Sequence, residues 1–137
     1  MTVAALQTRA VTGETKANVG AALEAVHAAI DAGAQVLVLL ELGNSGYMFD
    51  SRAEAFALAE PIDGPTVSRW AQVARDRKVW ICGGFTERDG GRLFNSAALV
   101  GPHGPIGRYG KLHLWDEEKL FFEPGNLGLP VFDLPFG

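Results

Sequence analysis

Val19, Leu23, Val26 and Ile30 recur at spacings of four, three and four within residues 17–32, which places them on one helical face, and Gly33 stands where a C-terminal cap belongs. An unbroken apolar run follows at residues 36–40 and reads as a buried strand. A helix with one apolar stripe must bury it against another element, and the strand that follows so closely supplies the sheet. This pairing predicts an α/β layered fold.

The remaining segments extend that reading. Residues 3–6 are consistent with a first short strand, although alanine dilutes its β signal. Residues 51–59 read as a short helix stopped by Pro61, and Gly64 with Pro65 opens another that runs to about Arg77. Val67, Trp70, Ala71 and Ala74 form its apolar stripe; Arg75, Arg77 and Lys78 suit the negative end of its dipole. Residues 79–85 and 93–100 are strand-like and are joined through Asp89, Gly90 and Gly91, a hairpin signal. Gly101, Pro102, Gly104 and Pro105 make a further turn before a short strand at 106–109, and residues 131–134 start what reads as a new strand. Helix-separated strands that give way to consecutive hairpin strands predict a mixed sheet, not a purely parallel one. No repeat or linker interrupts the chain, so residues 1–137 form one unit.

Composition excludes several kinds of partner. The formal net charge is −4 and no basic cluster occurs, so the electrostatic footprint of nucleic-acid or anionic-membrane binding is missing. No apolar run reaches bilayer length, and the N-terminus lacks the basic start and long apolar centre of a signal peptide; the expected location is the cytoplasm. One cysteine, Cys82, rules out an internal disulfide or a multi-thiolate zinc site.

Chemistry concentrates after the strand at 36–40. Glu41 arrives where that strand should end, followed by a turn of Gly43, Asn44, Ser45 and Gly46 and then by Tyr47, Met48 and Phe49. A carboxylate buried without partners costs several kcal/mol or takes up a proton, so a pocket rim is one reading of this stretch and the first solvated loop residue is the other. Ser45 lies in G-N-S-G-Y, which lacks the last glycine of a nucleophile elbow, and His27, His103 and His113 lack ligand spacing, so neither a serine nucleophile, a metal nor a cofactor is expected. Residues 111–130 form a long loop in which Trp115, Phe121 and Phe122 interleave with Asp116, Glu117, Glu118 and Lys119, and Lys111 opens it. A base and a fixed cation are what attack on a carbonyl-like carbon requires, and Glu41 and Lys111 could supply them. Taken alone, Lys111 and Glu118 would equally be surface residues.

Five segments together carry a resemblance: E-L-G-N-S-G-Y at 41–47, G-G-F-T-E-R at 83–88, L-F-N-S-A-A-L-V at 93–100, G-R-Y-G-K-L-H-L-W-D-E-E-K at 107–119 and F-F-E-P-G at 121–125. In this order they resemble the first half of a carbon-nitrogen hydrolase of the nitrilase superfamily, over essentially the whole chain. The resemblance implies the first half of a four-layer α-β-β-α sandwich, with helices on one side of a mixed sheet. It also implies a reaction in which a cysteine attacks a nitrile, amide or carbamoyl carbon, ammonia or an amine leaves, and water releases the acid. It maps the general base onto Glu41, the cation beside the tetrahedral intermediate onto Lys111, a second, positioning glutamate onto Glu118 and a pocket-wall position onto Tyr47.

Two departures accompany it. Leu40 stands where the family commonly has proline before the base. The family's nucleophilic cysteine lies on the strand after F-D-L-P-F-G, beyond Gly137. Cys82, in V-W-I-C-G-G-F, lacks the acidic residue that commonly follows that nucleophile and reads as a buried, inert strand residue. The expected enzyme therefore acts on a small amide or carbamoyl substrate in preference to a nitrile, completed by its second half or in a homo-oligomer. The alternative is a non-catalytic interaction module that pairs through its exposed sheet.

Overall fold

The apolar stripe at residues 17–32 becomes α1 (Thr15–Asp31), and Gly33 follows it at φ +94°, a left-handed conformation that glycine adopts without strain. A computed structural model describes residues 1–137. Five strands form one sheet in the order β1 (Val3–Ala5), β2 (Val36–Val38), β3 (Trp80–Asp89), β4 (Arg92–Gly101) and β5 (Gly104–Gly110). The first two pairings are parallel and the last two antiparallel, so the sheet is mixed as expected. Gly90, at φ +60°, helps to close the β3–β4 hairpin tightly, and both strands run further than their apolar cores suggested.

Helices α1 and α3 (Pro65–Arg77) lie on one face of this sheet. Val26 of α1 and Val67, Trp70, Ala71 and Ala74 of α3 pack with Leu37, Ile81, Phe85, Ala98 and Val100 in the main core. The first glycine of V-W-I-C-G-G-F is explained here, because a Cβ on Gly83 would lie 2.6 Å from the Trp70 ring. A smaller core gathers Leu42, Phe49 and Leu93 with Ala55 of α2 (Arg52–Leu58) and Phe122, just after α4 (Glu118–Phe121). Ser51 caps α2 by accepting a hydrogen bond from the Glu54 backbone N–H at 3.1 Å. No helix is long and apolar enough to cross a membrane.

Three expectations are corrected. The run at 36–40 is not a uniformly buried strand: the ladder assigned to β2 covers Val36–Val38, and Val38 is 40% exposed while Leu37 is fully buried. Helices cover one face only, and period-two alternation sends every second residue to the other. Residues 131–134 form no strand; they sit between Pro130 and Pro135, which offer no N–H, and Val131 is exposed. Just beyond this segment, Phe136 stands edge-on to Trp80 at the start of the central strand β3, at 4.8 Å between centroids. Cys82 is only partly buried, on the face that no helix covers.

Candidate active site

After Val38 the chain stays bonded to β3 for two more residues. Leu39 donates to the Cys82 carbonyl at 2.8 Å and Leu40 accepts from Gly84 N–H at 3.0 Å. The backbone then turns sharply, with Leu42 held at φ +46°. Gly84 makes this turn possible, since a Cβ there would lie 2.5 Å from Glu41 Cα. The turn is locked from behind: Asn44 Oδ1 accepts from Thr86 N–H at 3.0 Å, Ser45 Oγ meets Thr86 Oγ1 at 2.5 Å, and Asn18 of α1 donates to the Asn44 carbonyl at 3.0 Å. Glu41 is thus delivered at the strand end by a rigid loop, as the sequence suggested, with its side chain 41% exposed.

Lys111 follows β5, and its N–H donates to the Asn95 carbonyl of β4 at 2.8 Å. Its Nζ lies 2.7 Å from Glu41 Oε1 and 2.9 Å from Glu118 Oε2. Glu118 opens α4 and accepts from the Trp115 backbone N–H at 2.6 Å. The loop at 111–130 is anchored to the sheet where Glu123 N–H donates to Leu93 O at 2.8 Å and Gly125 N–H to Lys111 O at 2.9 Å. Arg52 of α2 also donates to the Phe121 carbonyl and pairs with Glu123 at 3.2 Å. Glu41, from the turn after β2, thus meets Lys111 and Glu118, seven residues apart on the segment after β5.

Tyr47 joins them from the turn, donating its hydroxyl to Glu41 Oε2 at 2.9 Å. It does not line the cavity of about 400 Å³ that opens on the uncovered sheet face beside Val38, Glu41, Cys82, Asn95, Tyr109 and Lys111. It lies instead on a second hollow of about 200 Å³ with Phe49, Trp115, Glu118 and Phe121. The residues after Tyr47 divide: Phe49 is buried edge-on against Phe121 and Phe122, whereas Met48 is 78% exposed.

The electrostatics follow from these contacts. Burial pushes the Glu41 carboxyl up, but hydrogen bonds from Lys111, Asn95 and Tyr47 outweigh it and leave its pKa below the ordinary value. Burial pulls Lys111 down, while its bonds to Glu41 and Glu118 outweigh that and raise it, so the ammonium persists. Burial and the Glu41 carboxylate both push the Tyr47 hydroxyl up, which keeps it a donor. Burial raises the Cys82 thiol, disfavouring thiolate. Glu41 Oε1 already accepts two hydrogen bonds, from Lys111 and Asn95, whereas Oε2 takes only Tyr47. The site can therefore accept a proton on a carboxylate and hold a fixed positive charge beside it. No three His, Cys, Asp or Glu side chains converge closely enough to hold a metal ion.

The chain matches the carbon-nitrogen hydrolase family over residues 2–137. It belongs to that family. Among curated carbon-nitrogen hydrolase relatives, a nitrilase from Pyrococcus abyssi is 52% identical over 105 residues, covering 76% of this chain and 40% of that protein. An N-carbamoylputrescine amidase from Solanum lycopersicum is 34% identical over 143 residues, covering 99% of this chain and 47% of that protein. Among solved structures, an amidase from Nesterenkonia sp. superposes with a TM-score of 0.77 at 26% identity, covering 96% of this chain and 51% of that one. The chain thus spans about half or less of the length of these carbon-nitrogen hydrolases, and its mixed sheet with helices corresponds to about half of a nitrilase-fold amidase.

One site residue was missed in the sequence. Asn95, within L-F-N-S-A-A-L-V, donates from Nδ2 to Glu41 Oε1 at 2.7 Å and to Glu118 Oε1 at 2.6 Å. The available signal was a polar amide in mid-strand at a position that alternation sends to the same face as Ala97 and Leu99.

Proposed function

We propose that this chain carries the base, cation and positioning carboxylate of an amide- or N-carbamoyl-hydrolysing enzyme, with the attacking thiolate supplied from outside residues 1–137. The observation that carries this reading is the Lys111 ammonium held between the Glu41 and Glu118 carboxylates at the mouth of a cavity. Glu41 takes the proton from an incoming thiol as sulfur bonds to the substrate carbon; Lys111 stabilises the charge that develops on the carbonyl oxygen. The proton then passes to the leaving nitrogen, ammonia or an amine departs, and water attacks the thioester to release the acid. Glu118 keeps Lys111 in place. Tyr47 steadies Glu41 through its hydroxyl, from the hollow beside the cavity. Amide and carbamoyl substrates are favoured over nitriles because L-H-L-W-D-E-E-K and F-F-E-P-G occur together; amidases and a carbamoyl amidase are among the relatives.

Burial pushes the Cys82 thiol up and so disfavours the thiolate that a nucleophile needs. The uncovered sheet face, with Val38 exposed beside the cavity, favours completion by a second sheet, from a following half or from another copy. The same face supports a second reading, in which the chain is an interaction module without turnover.

Ammonia release from amide, carbamoyl and nitrile substrates separates these readings, measured on this chain and on the chain lengthened through the segment that follows it in full-length relatives. Activity only in the longer chain supports the enzyme. Activity in the short chain would overturn the external thiolate, and silence in both would favour the interaction module. Slow labelling of Cys82 in the folded chain by a thiol reagent is expected at neutral pH.

A further inference from the structure

Asn95 is 3% exposed, yet its side chain meets two carboxylates that lie far from it in sequence. Carboxylates only accept hydrogen bonds, so the group facing them must be the amide NH2, which has two protons to give. Lys111 Nζ donates to the same two oxygens, Glu41 Oε1 at 2.7 Å and Glu118 Oε1 at 3.1 Å. The four atoms close a ring in which two donors alternate with two acceptors. The other oxygen of each carboxylate has a partner of its own: Glu41 Oε2 accepts from the Tyr47 hydroxyl, and Glu118 Oε2 accepts from the Trp115 N–H while also lying 2.9 Å from Lys111 Nζ. The backbone carbonyl of Asn95 receives the Lys111 N–H as well, so one residue of β4 contacts three members of the site.

From this ring we infer that Asn95 is a positioning residue, whose amide sets the separation of Glu41 and Glu118 and keeps Glu41 unprotonated until it receives the proton of the attacking thiol. The inference rests on the reading of Glu41 as the base. One ammonium cannot neutralise two carboxylates, and an amide adds a second donor between them without adding charge. Leucine has nearly the same shape and no donor; aspartate has the same shape and adds a third negative charge. The groups facing Glu41 are Lys111, Glu118, Asn95 and Tyr47, with Cys82 and Tyr109 on the cavity wall.

NMR on this chain tests the ring without requiring turnover. In the wild type, the Asn95 side-chain amide protons should shift with the same midpoint as the Glu41 carboxyl carbon; amide protons that ignore this titration would overturn the bridge, whether or not any variant folds. In Asn95→Leu and Asn95→Asp the Glu41 midpoint should rise by about 1 pH unit or more, and an unchanged midpoint in either folded variant would overturn the positioning role. In the active longer chain, Asn95→Leu should move the acidic limb of kcat/KM upward by a similar shift. A fall in kcat/KM with an unmoved limb would reduce Asn95 to a structural role. If the NMR shifts appear while no form turns over substrate, the ring stands and the assignment of Glu41 as base fails.

Discussion

Leu37 and Val38 are neighbours on β2, and the sheet sends one to each face. Leu37 is fully buried against α1 and α3, whereas Val38 is 40% exposed beside the cavity that Glu41 and Lys111 share. The same division runs through β3 and β4: Ile81, Phe85, Ala98 and Val100 point to the helices, and Cys82, Asn95 and Ala97 point away. The covered face is built of packing and fixes the strands; the uncovered face carries charge, amide and thiol groups that the packing holds in place. One set of strands thus serves as a core on one side and, on the proposed reading, as a platform for chemistry on the other. Substitutions should separate accordingly, into losses of turnover on one face and losses of stability on the other.

The largest effect is expected on the uncovered face. If a longer chain turns over substrate as proposed, Glu41→Gln takes away the proposed proton acceptor at constant shape and should lower kcat/KM by about 10²–10⁴-fold. Its melting temperature should shift less than that of any covered-face truncation. Ammonia release and a thermal melt on the same sample check both statements, and a collapse in stability that matched the loss of activity would erase the distinction between the faces. The mirror case is Trp70→Ala. That ring is 1% exposed and lies directly over Gly83, so its removal opens a cavity and should cost about 3–5 kcal/mol in urea denaturation.

The covered face was legible in the sequence because period carries it. Val67, Trp70, Ala71 and Ala74 repeat at helical spacing and all four are buried. The site was legible only in part. Glu41 announced itself as a charge at the end of an apolar run, but nothing in local pattern distinguishes Lys111 or Glu118 from surface residues, and their roles came from the resemblance. Asn95 was invisible for another reason: its importance lies in two hydrogen bonds to residues 54 and 23 positions away, which no periodicity encodes. Val38 was misread because an apolar run does not reveal which faces will be covered.

Acidity offers a smaller and more graded test. The Glu41 pKa is lowered in the fold, so its contribution to stability is present above the ordinary value of 4.5 and is lost as pH falls through the folded value. The Lys111 pKa is raised, so its contribution is present below 10.5 and is lost as pH rises through the folded value. Urea midpoints should therefore be flat near neutrality with respect to this pair and decline at both ends. Glu41→Gln should remove part of the acid decline, and Trp70→Ala should lower the whole curve while leaving its acid limb in place. An acid limb unaffected by Glu41→Gln would mean that the ring adds nothing to folding.

The smallest effect sharpens the comparison most, because it concerns adjacent residues. Leu37→Ala should cost about 2–5 kcal/mol, since it empties a fully buried position. Val38→Ser, one residue along, should change the stability of this chain by no more than about 0.5 kcal/mol, as expected for a site already open to water. The same Val38→Ser change should become markedly more costly in the longer chain if a second sheet covers this face, because a hydroxyl would then be buried without a partner. Equal and small costs in both chains would show that the face stays open. A large cost in the short chain, growing with protein concentration, would show that two copies already cover it.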